Sequence, residues 1–284
     1  MLPRSVSWWI PVFQTQGALS RRSLGSAQRQ LKSTVEKLAE AAHTDSTRRR
    51  GDVDVATGDR ATKEQLLCNP VYVAWRHINK EKDGEAEECS YYNSVVSHER
   101  WLKGWMVRGQ MVHISWSVPS PRAISSILQY LPHGQRNLVD LACGTGYWSM
   151  LFQQHGADRV TAVDDFSDAG SPRRTQCFFP GIVALDCVSY LREQAGRKDD
   201  HALFFSWPRS SQMMIDCLAH WNGTWVFVVG EGDGGCTGSL YTHVEAHPDL
   251  WELVDQLPIP RWQGIRDSLY VYRRTSCSLI PPNT

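Results

Sequence analysis

Between residues 138 and 232, short apolar segments alternate with amphipathic ones, and this alternation constrains the fold more than any other feature of the sequence. The intervening segments YWSMLFQQHG and SQMMIDCLAHW are predicted to be helices, the first of them closed by Gly156. Near-continuous apolar strands alternating with helices are typical of a parallel sheet covered on both faces. The sequence therefore predicts an α/β fold with parallel strands at 138–142, 159–164, 181–186, 202–207 and 224–232.

The end of this predicted sheet differs from its beginning. The segments WELVDQLPIP and SLYVYRR have the composition of strands, and only the short segment PRWQGIRD connects them. A parallel pair needs a long crossover connection, whereas an antiparallel pair does not. The sequence therefore predicts that the sheet ends in an antiparallel hairpin.

The length of 284 residues allows one substantial domain with an appendage. We expect a targeting segment and disordered linker over 1–62 and an aromatic-rich, mainly helical extension over 63–118. The main domain is predicted to span 119–275, followed by a tail over 276–284. Residues 1–35 contain arginines and serines and no acid, which is the composition of a mitochondrial transit peptide. A disordered basic tail on a cytoplasmic protein is the alternative.

Composition argues against several classes of function, although it does not exclude a nucleic-acid partner. The formal net charge is zero, so no global basic field indicates nucleic-acid binding. The eight cysteines form no Cys-x-x-Cys pair, which favours a reducing compartment and argues against a structural zinc site. No apolar run is long enough to span a bilayer, so no membrane association is expected. His243 and His247 lack the zinc-protease order, and a solvated helix face explains them, so no metal is predicted.

The turn ACGTG follows the first predicted strand and indicates a ligand. In such sheets ligands bind at the carboxyl ends of the strands, which places a site beside Gly144 and Gly146. Asp164 follows about 20 residues later at the end of the second strand, where a carboxylate can accept the ribose hydroxyls of a nucleoside. Asp165 is the alternative, because a shift of one residue changes the face. A tight turn without a ligand is the other interpretation.

Five separated motifs resemble those of class I S-adenosylmethionine-dependent methyltransferases. ISWSVPSP, VDLACGTGYW, LFFSWP, GEGDGGCTG and QLPIPRWQGIRDSLYVYRR occur in this order over 113–273. They are similar to a group of methyltransferase-like proteins that shows S-W-A-I-P, G-x-G-T-G-Y-W, W-P-P-Y and G-E-G-x-G-G-C-T. The turn resembles the family motif D-x-G-x-G-x-G through Asp140, Gly144 and Gly146, with Ala142 in place of the first glycine.

The resemblance implies a Rossmann-like methyltransferase sheet, with S-adenosylmethionine as the cofactor. It places Asp186 and Cys187 near the adenine amine, although a carboxylate that caps the following helix explains Asp186 equally well. The cofactor-binding residues that follow from the resemblance and the spacing are Asp140, Ala142, Cys143, Gly144, Thr145, Gly146, Asp164, Asp165, Asp186, Cys187 and Ser206.

The resemblance also locates the acceptor side of the site. Amino-directed methyltransferases often carry N/D-P-P-aromatic where this chain has Ser206, Trp207 and Pro208, so the location is indicated but not the acceptor chemistry. Trp207 is equally explained as a core residue. Glu231, in the Gly-rich loop after the fifth strand, is the acid nominated as a base. The predicted catalytic residues are Glu231, Trp207 and Pro208, acting on an unidentified acceptor for which a compact molecule is favoured.

A second function remains open at this point. A non-catalytic methyltransferase-like protein, which binds or assembles partners in a mitochondrial RNA–protein particle, would also show these motifs. Ala142 and the altered WPRS segment favour that alternative, whereas Asp164 and the intact Gly-x-Gly favour an enzyme.

Overall fold

A computed structural model of the chain describes residues 69–79, 98–167, 177–194, 201–208, 210–232, 235 and 238–275. Every described residue belongs to one compact unit, which spans 56–284. The predicted targeting segment, linker and C-terminal tail lie outside the described residues. None of the described helices is both long enough and apolar enough to cross a membrane.

Helices and strands alternate through the described part of the chain, as the sequence predicts. The described helices are α1 (Pro70–Asn79), α2 (His98–Met111), α3 (Pro121–Gln129), α4 (Tyr147–Gln154), α5 (Cys187–Glu193), α6 (Ser211–Ala219) and α7 (Gly238–Ala246). The strands are β1 (Asn137–Leu141), β2 (Arg159–Val163), β3 (Ala202–Ser206), β4 (Trp225–Glu231), β5 (Trp251–Pro258) and β6 (Asp267–Arg274). The described part of the N-terminal extension is helical.

The six strands form one sheet in the order β2-β1-β3-β4-β6-β5. The first four strands in this order are parallel, whereas β6 runs antiparallel to both β4 and β5. A parallel sheet that ends in an antiparallel hairpin is the Rossmann-like methyltransferase fold, so the predicted fold class is confirmed. Because β6 is antiparallel, its first residue, Asp267, pairs with the last residue of β4, Glu231. The carboxyl ends of the parallel strands and the start of β6 therefore share one edge.

The strand predicted at 181–186 is wrong. Only Val183 pairs with the sheet there, through an isolated parallel bridge to Val163 at the end of β2. The segment begins with Gly181 in a left-handed conformation at φ 76° and ends with Asp186, which caps α5. A left-handed turn and a helix cap leave too few extended residues between them to form a strand with regular hydrogen bonds to β2.

The two faces of the sheet are covered by different helices. On one face, alternate residues of β1, β3 and β4, such as Val139, Phe205 and Val228, form an apolar core with residues of α5, α6 and α7. On the other face, Phe204 lies against two aromatic rings of α4, with centroid distances of 5.0 Å to Trp148 and 4.8 Å to Phe152. The period of two along each strand explains this division.

The N-terminal extension is joined to the main domain by buried hydrogen bonds. Asn69 donates from Nδ2 to the carbonyl of Pro119 at 2.5 Å and accepts at Oδ1 from the hydroxyl of Tyr147 at 3.0 Å. Trp75 of α1 donates to the carbonyl of Arg261 at 2.9 Å. Since Tyr147 is the first residue of α4, its bond to Asn69 links the extension to the turn after β1.

Candidate functional site

The turn after β1 has a backbone of unusual handedness. Ala142, Gly144 and Gly146 all have positive φ values, of 57°, 58° and 71°. The left-handed region costs a non-glycine residue about 1–2 kcal/mol, so Ala142 is strained where the resembling family has glycine. A Cβ on Gly146 would lie 2.7 Å from Cβ of Phe179, whereas one on Gly144 would meet no atom within 4 Å. The turn therefore has no room for a side chain at Gly146, whereas the space beside Gly144 is open.

Asp164 clamps this turn to the end of β2. Its carboxylate is nearly buried, and Oδ2 accepts a hydrogen bond of 2.8 Å from the backbone N–H of Gly144. Oδ1 accepts a second bond of 2.9 Å from the N–H of Phe166. Asp165, the alternative residue, is exposed and accepts from the N–H of Ser167. The structure thus places Asp164, and not its neighbour, against the Gly-rich turn.

Asp140 lies in the interior below the turn. The side chain is 1% exposed, and its Oδ2 accepts a hydrogen bond of 2.6 Å from the hydroxyl of Ser149 on α4. Burial raises the pKa of this carboxyl to about 7, and the nearby charge of Asp164 adds to that effect. This geometry fixes α4 to β1, and direct contact of Asp140 with a cofactor stays a prediction.

The other residues of the turn connect it to neighbouring segments. The N–H of Cys143 donates to the carbonyl of Val163 on β2 at 3.1 Å, and burial raises the pKa of its thiol. The hydroxyl of Thr145 donates to the carbonyl of Ile114 at 2.7 Å, which joins the turn to the extension. Because backbone and side-chain bonds reach both β2 and the extension, the turn is held on two sides.

The residues predicted near the adenine lie at the start of α5. Asp186 accepts from the N–H of Ser189 at 2.9 Å, which lowers its pKa and makes it the N-cap of the helix. Cys187 is buried against the apolar core of the sheet. Asp186 therefore caps α5 in the structure. Contact of Asp186 and Cys187 with an adenine stays a prediction.

Ser206 ends β3, at the edge where the sequence predicts the acceptor. Its Oγ lies 2.8 Å from Oγ of Ser117, which also accepts a bond of 3.1 Å from Nε1 of Trp148. Ser117 and Trp148 are buried, so this hydroxyl pair joins the extension to the sheet. Ser206 thus supplies a hydroxyl but no carboxylate at this edge.

Trp207 is held in a strained conformation by three contacts. Its φ of 50° is left-handed, which is a genuine outlier for a bulky residue. The backbone N–H donates to the carbonyl of Val229 at 2.9 Å, and the indole N–H donates to Oδ1 of Asp267 at 2.7 Å. The ring stacks on Trp116 at a centroid distance of 5.6 Å. Trp207 is half-buried, and its indole is hydrogen-bonded, so it does not occupy the core position that was the alternative prediction. The next residue, Pro208, is buried.

Glu231 closes β4 at the same edge. It is half-buried, and its Oε1 accepts a bond of 3.1 Å from the N–H of Arg266. The chain then turns sharply, because the N–H of Gly235 donates to the carbonyl of Gly232 at 2.8 Å. A Cβ at Gly232 would overlap the hydroxyl of Tyr270. A Cβ at Gly235 would overlap Cβ of Glu231, so close packing explains both Gly232 and Gly235. Residues 233, 234, 236 and 237 lie outside the described part of the loop.

Sequence reasoning missed Asp267 and Arg108. Asp267 is fully buried, and it meets Trp207 and Glu231 only because β6 runs antiparallel to β4. Arg108 of α2 is 5% exposed, and its guanidinium lies 5.8 Å from the ring centroid of Trp116. The predicted hairpin was a signal for Asp267, since it places the first residue of the last strand at the carboxyl edge.

Among the residues that the structure describes, no three His, Cys, Asp or Glu side chains are grouped to hold a metal ion. His243 and His247 lie on α7 and at its end, with ring centroids 4.4 Å apart, and Nδ1 of His247 lies 2.8 Å from the carbonyl of His243. The two histidines therefore contact each other within one turn of helix.

Solved structures of methyltransferases match the chain at low identity. A magnesium protoporphyrin IX methyltransferase from Synechocystis, with bound S-adenosylmethionine, matches at 13% identity and a TM-score of 0.38, over 78% of this chain and 100% of that one. An rRNA methylase from Streptococcus thermophilus matches at 11% identity and a TM-score of 0.38, over 56% and 99%. No protein-family model and no curated protein matches. At identities and scores this low, these similarities establish neither a ligand nor an activity.

Proposed function

We propose that the protein is an S-adenosylmethionine-dependent methyltransferase whose cofactor lies against the carboxyl ends of β1 and β2. The observation that carries the proposal is the Asp164 carboxylate, which the N–H of Gly144 fixes at the end of β2 beside an open left-handed turn. A nucleoside presents two ribose hydroxyls as donors, and a carboxylate at this position suits them. The cofactor supplies a methyl group already activated on a sulfonium.

The start of α4 fits the charged end of the same ligand. Its N-cap, Gly146, has no side chain to satisfy the first N–H groups of the helix. Helix N-termini favour anions because their N–H groups and dipole point toward the ligand. We therefore expect the carboxylate of the methionine part near Gly146 and the ribose near Asp164.

Calorimetry on the full chain with S-adenosylmethionine and S-adenosylhomocysteine tests this function. Asp164→Ala should weaken binding by about 1.5–3 kcal/mol, because a charge-assisted hydrogen bond to the ribose is lost. Asp165→Ala removes an adjacent exposed charge and should leave the affinity unchanged.

Because Asp164 also holds the turn, thermal unfolding without cofactor measures the structural part of its effect. No binding to the intact chain at millimolar cofactor would contradict the proposal.

The acceptor is expected at the ends of β3 and β4. Methyl transfer is an in-line displacement, so the chain mainly has to align the acceptor and exclude water. Trp207, Pro208 and Glu231 border this region, and Glu231 is the proposed base. Glu231→Gln should keep cofactor affinity but lower turnover, since it acts on the acceptor and not on the ribose. Loss of cofactor binding in this variant would instead assign Glu231 a structural role.

A non-catalytic methyltransferase-like protein is the second candidate. The serine at position 206, in place of an acid, favours it because a hydroxyl bonded to Ser117 is a poor proton acceptor. Full-length protein incubated with cell extract and methyl-labelled cofactor distinguishes the two. Labelled product supports the enzyme, whereas cofactor binding without any transfer supports the binding protein.

We also propose that the protein is mitochondrial. Residues 1–35 are basic, contain serines and lack acids, which suits an import signal. A fluorescent fusion of these residues should enter mitochondria, and a version with the arginines changed to glutamine is the control. A fusion that stays in the cytosol would contradict this localisation without affecting the proposed activity.

A further inference from the structure

Asp267 places a second carboxyl at the acceptor edge, beside Glu231. The two residues are paired in the antiparallel ladder between β4 and β6. Directly paired residues project their side chains to the same face of the sheet. Asp267 therefore lies on the side from which Glu231 and Ser206 approach the site, and it carries the charge that Ser206 lacks.

The carboxyl of Asp267 is only partly satisfied. It is completely buried, and Oδ1 accepts its bond from the indole of Trp207. Oδ2 is buried as well, and no described residue donates a hydrogen bond to it. A buried acceptor without a partner is costly, so proteins rarely retain one unless it serves a ligand or a reaction.

The carboxyl lies beside a pair of stacked indole rings and a strained stretch of backbone. Trp207 is anchored to Asp267, is strained at φ 50° and stacks on Trp116. Backbone strain of this kind concentrates at functional sites. Trp207, which bonds Oδ1, and Glu231, which is paired with Asp267, are both half-buried.

We propose that Asp267 is a catalytic residue that contacts the methyl acceptor, its Oδ2 accepting the N–H or O–H proton of the group that is methylated. This inference rests on the proposed methyltransferase function and adds Asp267, beside Glu231, as a second carboxyl that takes a proton from the acceptor. It predicts an acceptor class, namely a compact molecule with a neutral N–H or O–H nucleophile.

The reaction step balances with the residues and ligands named. The acceptor nitrogen or oxygen forms a bond to the methyl carbon while the carbon–sulfur bond breaks, and that electron pair stays on sulfur. The proton of the acceptor atom passes to Oδ2 of Asp267. A cationic sulfonium, a neutral acceptor and a carboxylate become a thioether, a methylated acceptor and a carboxylic acid.

Charged groups from several elements face Asp267 and set the pH at which it can act. Burial raises its pKa to about 7, the Trp207 bond lowers it, and Glu231 on β4 raises it. Arg108 on α2 and Arg261 in the loop before β6 lower it. A base acts in its ionised form, so turnover should increase as pH rises through about 7.

The test uses the full chain, methyl-labelled S-adenosylmethionine and a panel of imidazole, aniline, phenol, catechol and ethanolamine at pH 6 and pH 8. We expect transfer to at least one of these compounds, faster at pH 8. Asp267→Asn, which keeps an oxygen for the Trp207 indole, should lower transfer on the order of 10²–10⁴-fold and leave cofactor affinity unchanged. Asp255→Asn is the matched control, because Asp255 also accepts one bond from an aromatic side chain, Tyr130.

A second variant keeps the proposal testable if Asp267→Asn does not fold. Trp207→Phe keeps an aromatic ring but removes the bond that lowers the pKa of Asp267, so the rise in turnover should move to higher pH. Undiminished transfer by Asp267→Asn, an unshifted profile in Trp207→Phe, or transfer to none of the panel by a chain that binds cofactor would each overturn the assignment. A chain that does not bind cofactor removes the proposed function first, and this inference with it.

Discussion

The proposed cofactor side and the proposed acceptor side of the site are built in different ways. On the cofactor side, Gly144, Gly146 and Asp164 lie within two consecutive strand–turn units, and backbone hydrogen bonds hold them together. On the acceptor side, Trp207 and Asp267 are 60 residues apart and meet through side chains. The first half depends on local chain geometry, and the second depends on the order of strands in the sheet.

Because of this difference, we expect substitutions in the two halves to change different properties of the protein. A turn with three left-handed residues restricts the side chains beside it, so substitutions there act first on folding and on cofactor binding. The proposed acceptor side contains a buried carboxyl and a strained tryptophan, so we expect substitutions there to act first on ionisation and on the proposed turnover. Three predictions test this contrast, beginning with the largest expected effect.

Gly146→Ala should disrupt the cofactor side most. The new Cβ would meet Phe179 at 2.7 Å in a left-handed conformation, which should cost about 2–5 kcal/mol of unfolding free energy and abolish cofactor binding. Gly144→Ala is the matched control, because its conformation is similar but its Cβ enters open space, so about 1–2 kcal/mol is expected. Equal losses in chemical denaturation would contradict the packing argument.

The free energy of unfolding should fall as pH rises from about 4 to about 7, because burial raises the pKa values of Asp140 and Asp267 to about 7. A carboxyl whose pKa is higher in the folded state binds protons preferentially there, and that stabilisation is lost as pH rises through the folded pKa. Each group contributes a slope of about 1.4 kcal/mol per pH unit in that window.

Denaturation of Asp140→Asn and Asp267→Asn across this pH range measures the two contributions separately. Each variant should show a shallower decline than the unmodified chain, while Asp255→Asn should follow it. Of these two variants, only Asp267→Asn should remove the rise in turnover near pH 7, which would sharpen the contrast between the two sides. A decline of unchanged slope in both variants would contradict the assignment.

Ala142→Gly should have the smallest effect, and a favourable one. It removes the cost of a left-handed alanine but adds the backbone entropy of glycine, so a net gain on the order of 0.5–1 kcal/mol is expected. Cofactor affinity should stay the same or increase, because the family motif that the turn resembles has glycine here. Destabilisation would show that the Ala142 methyl group makes packing contacts that outweigh the strain.

The sequence signals for the proposed cofactor half are local. The Gly-rich turn and Asp164 were found from spacing along two adjacent strands, and the structure brings Asp164 into contact with Gly144. The strand at 181–186 was predicted wrongly, since its apolar pattern does not reveal that Gly181 turns the chain and Asp186 starts a helix. Apolar runs this short fit several structures, and neighbouring turns decide among them.

By itself, the sequence determined the α/β alternation, the antiparallel ending and the position of the Gly-rich turn, because periodicity, glycine and chain length act over short distances. Only the tertiary structure decided that Asp140 is buried under the turn, and that Ser117 bonds Ser206. It also decided that Asp267 lies beside Trp207 and Glu231. Strand order and helix docking set these contacts, and both result from burial of the whole apolar surface rather than from any local pattern.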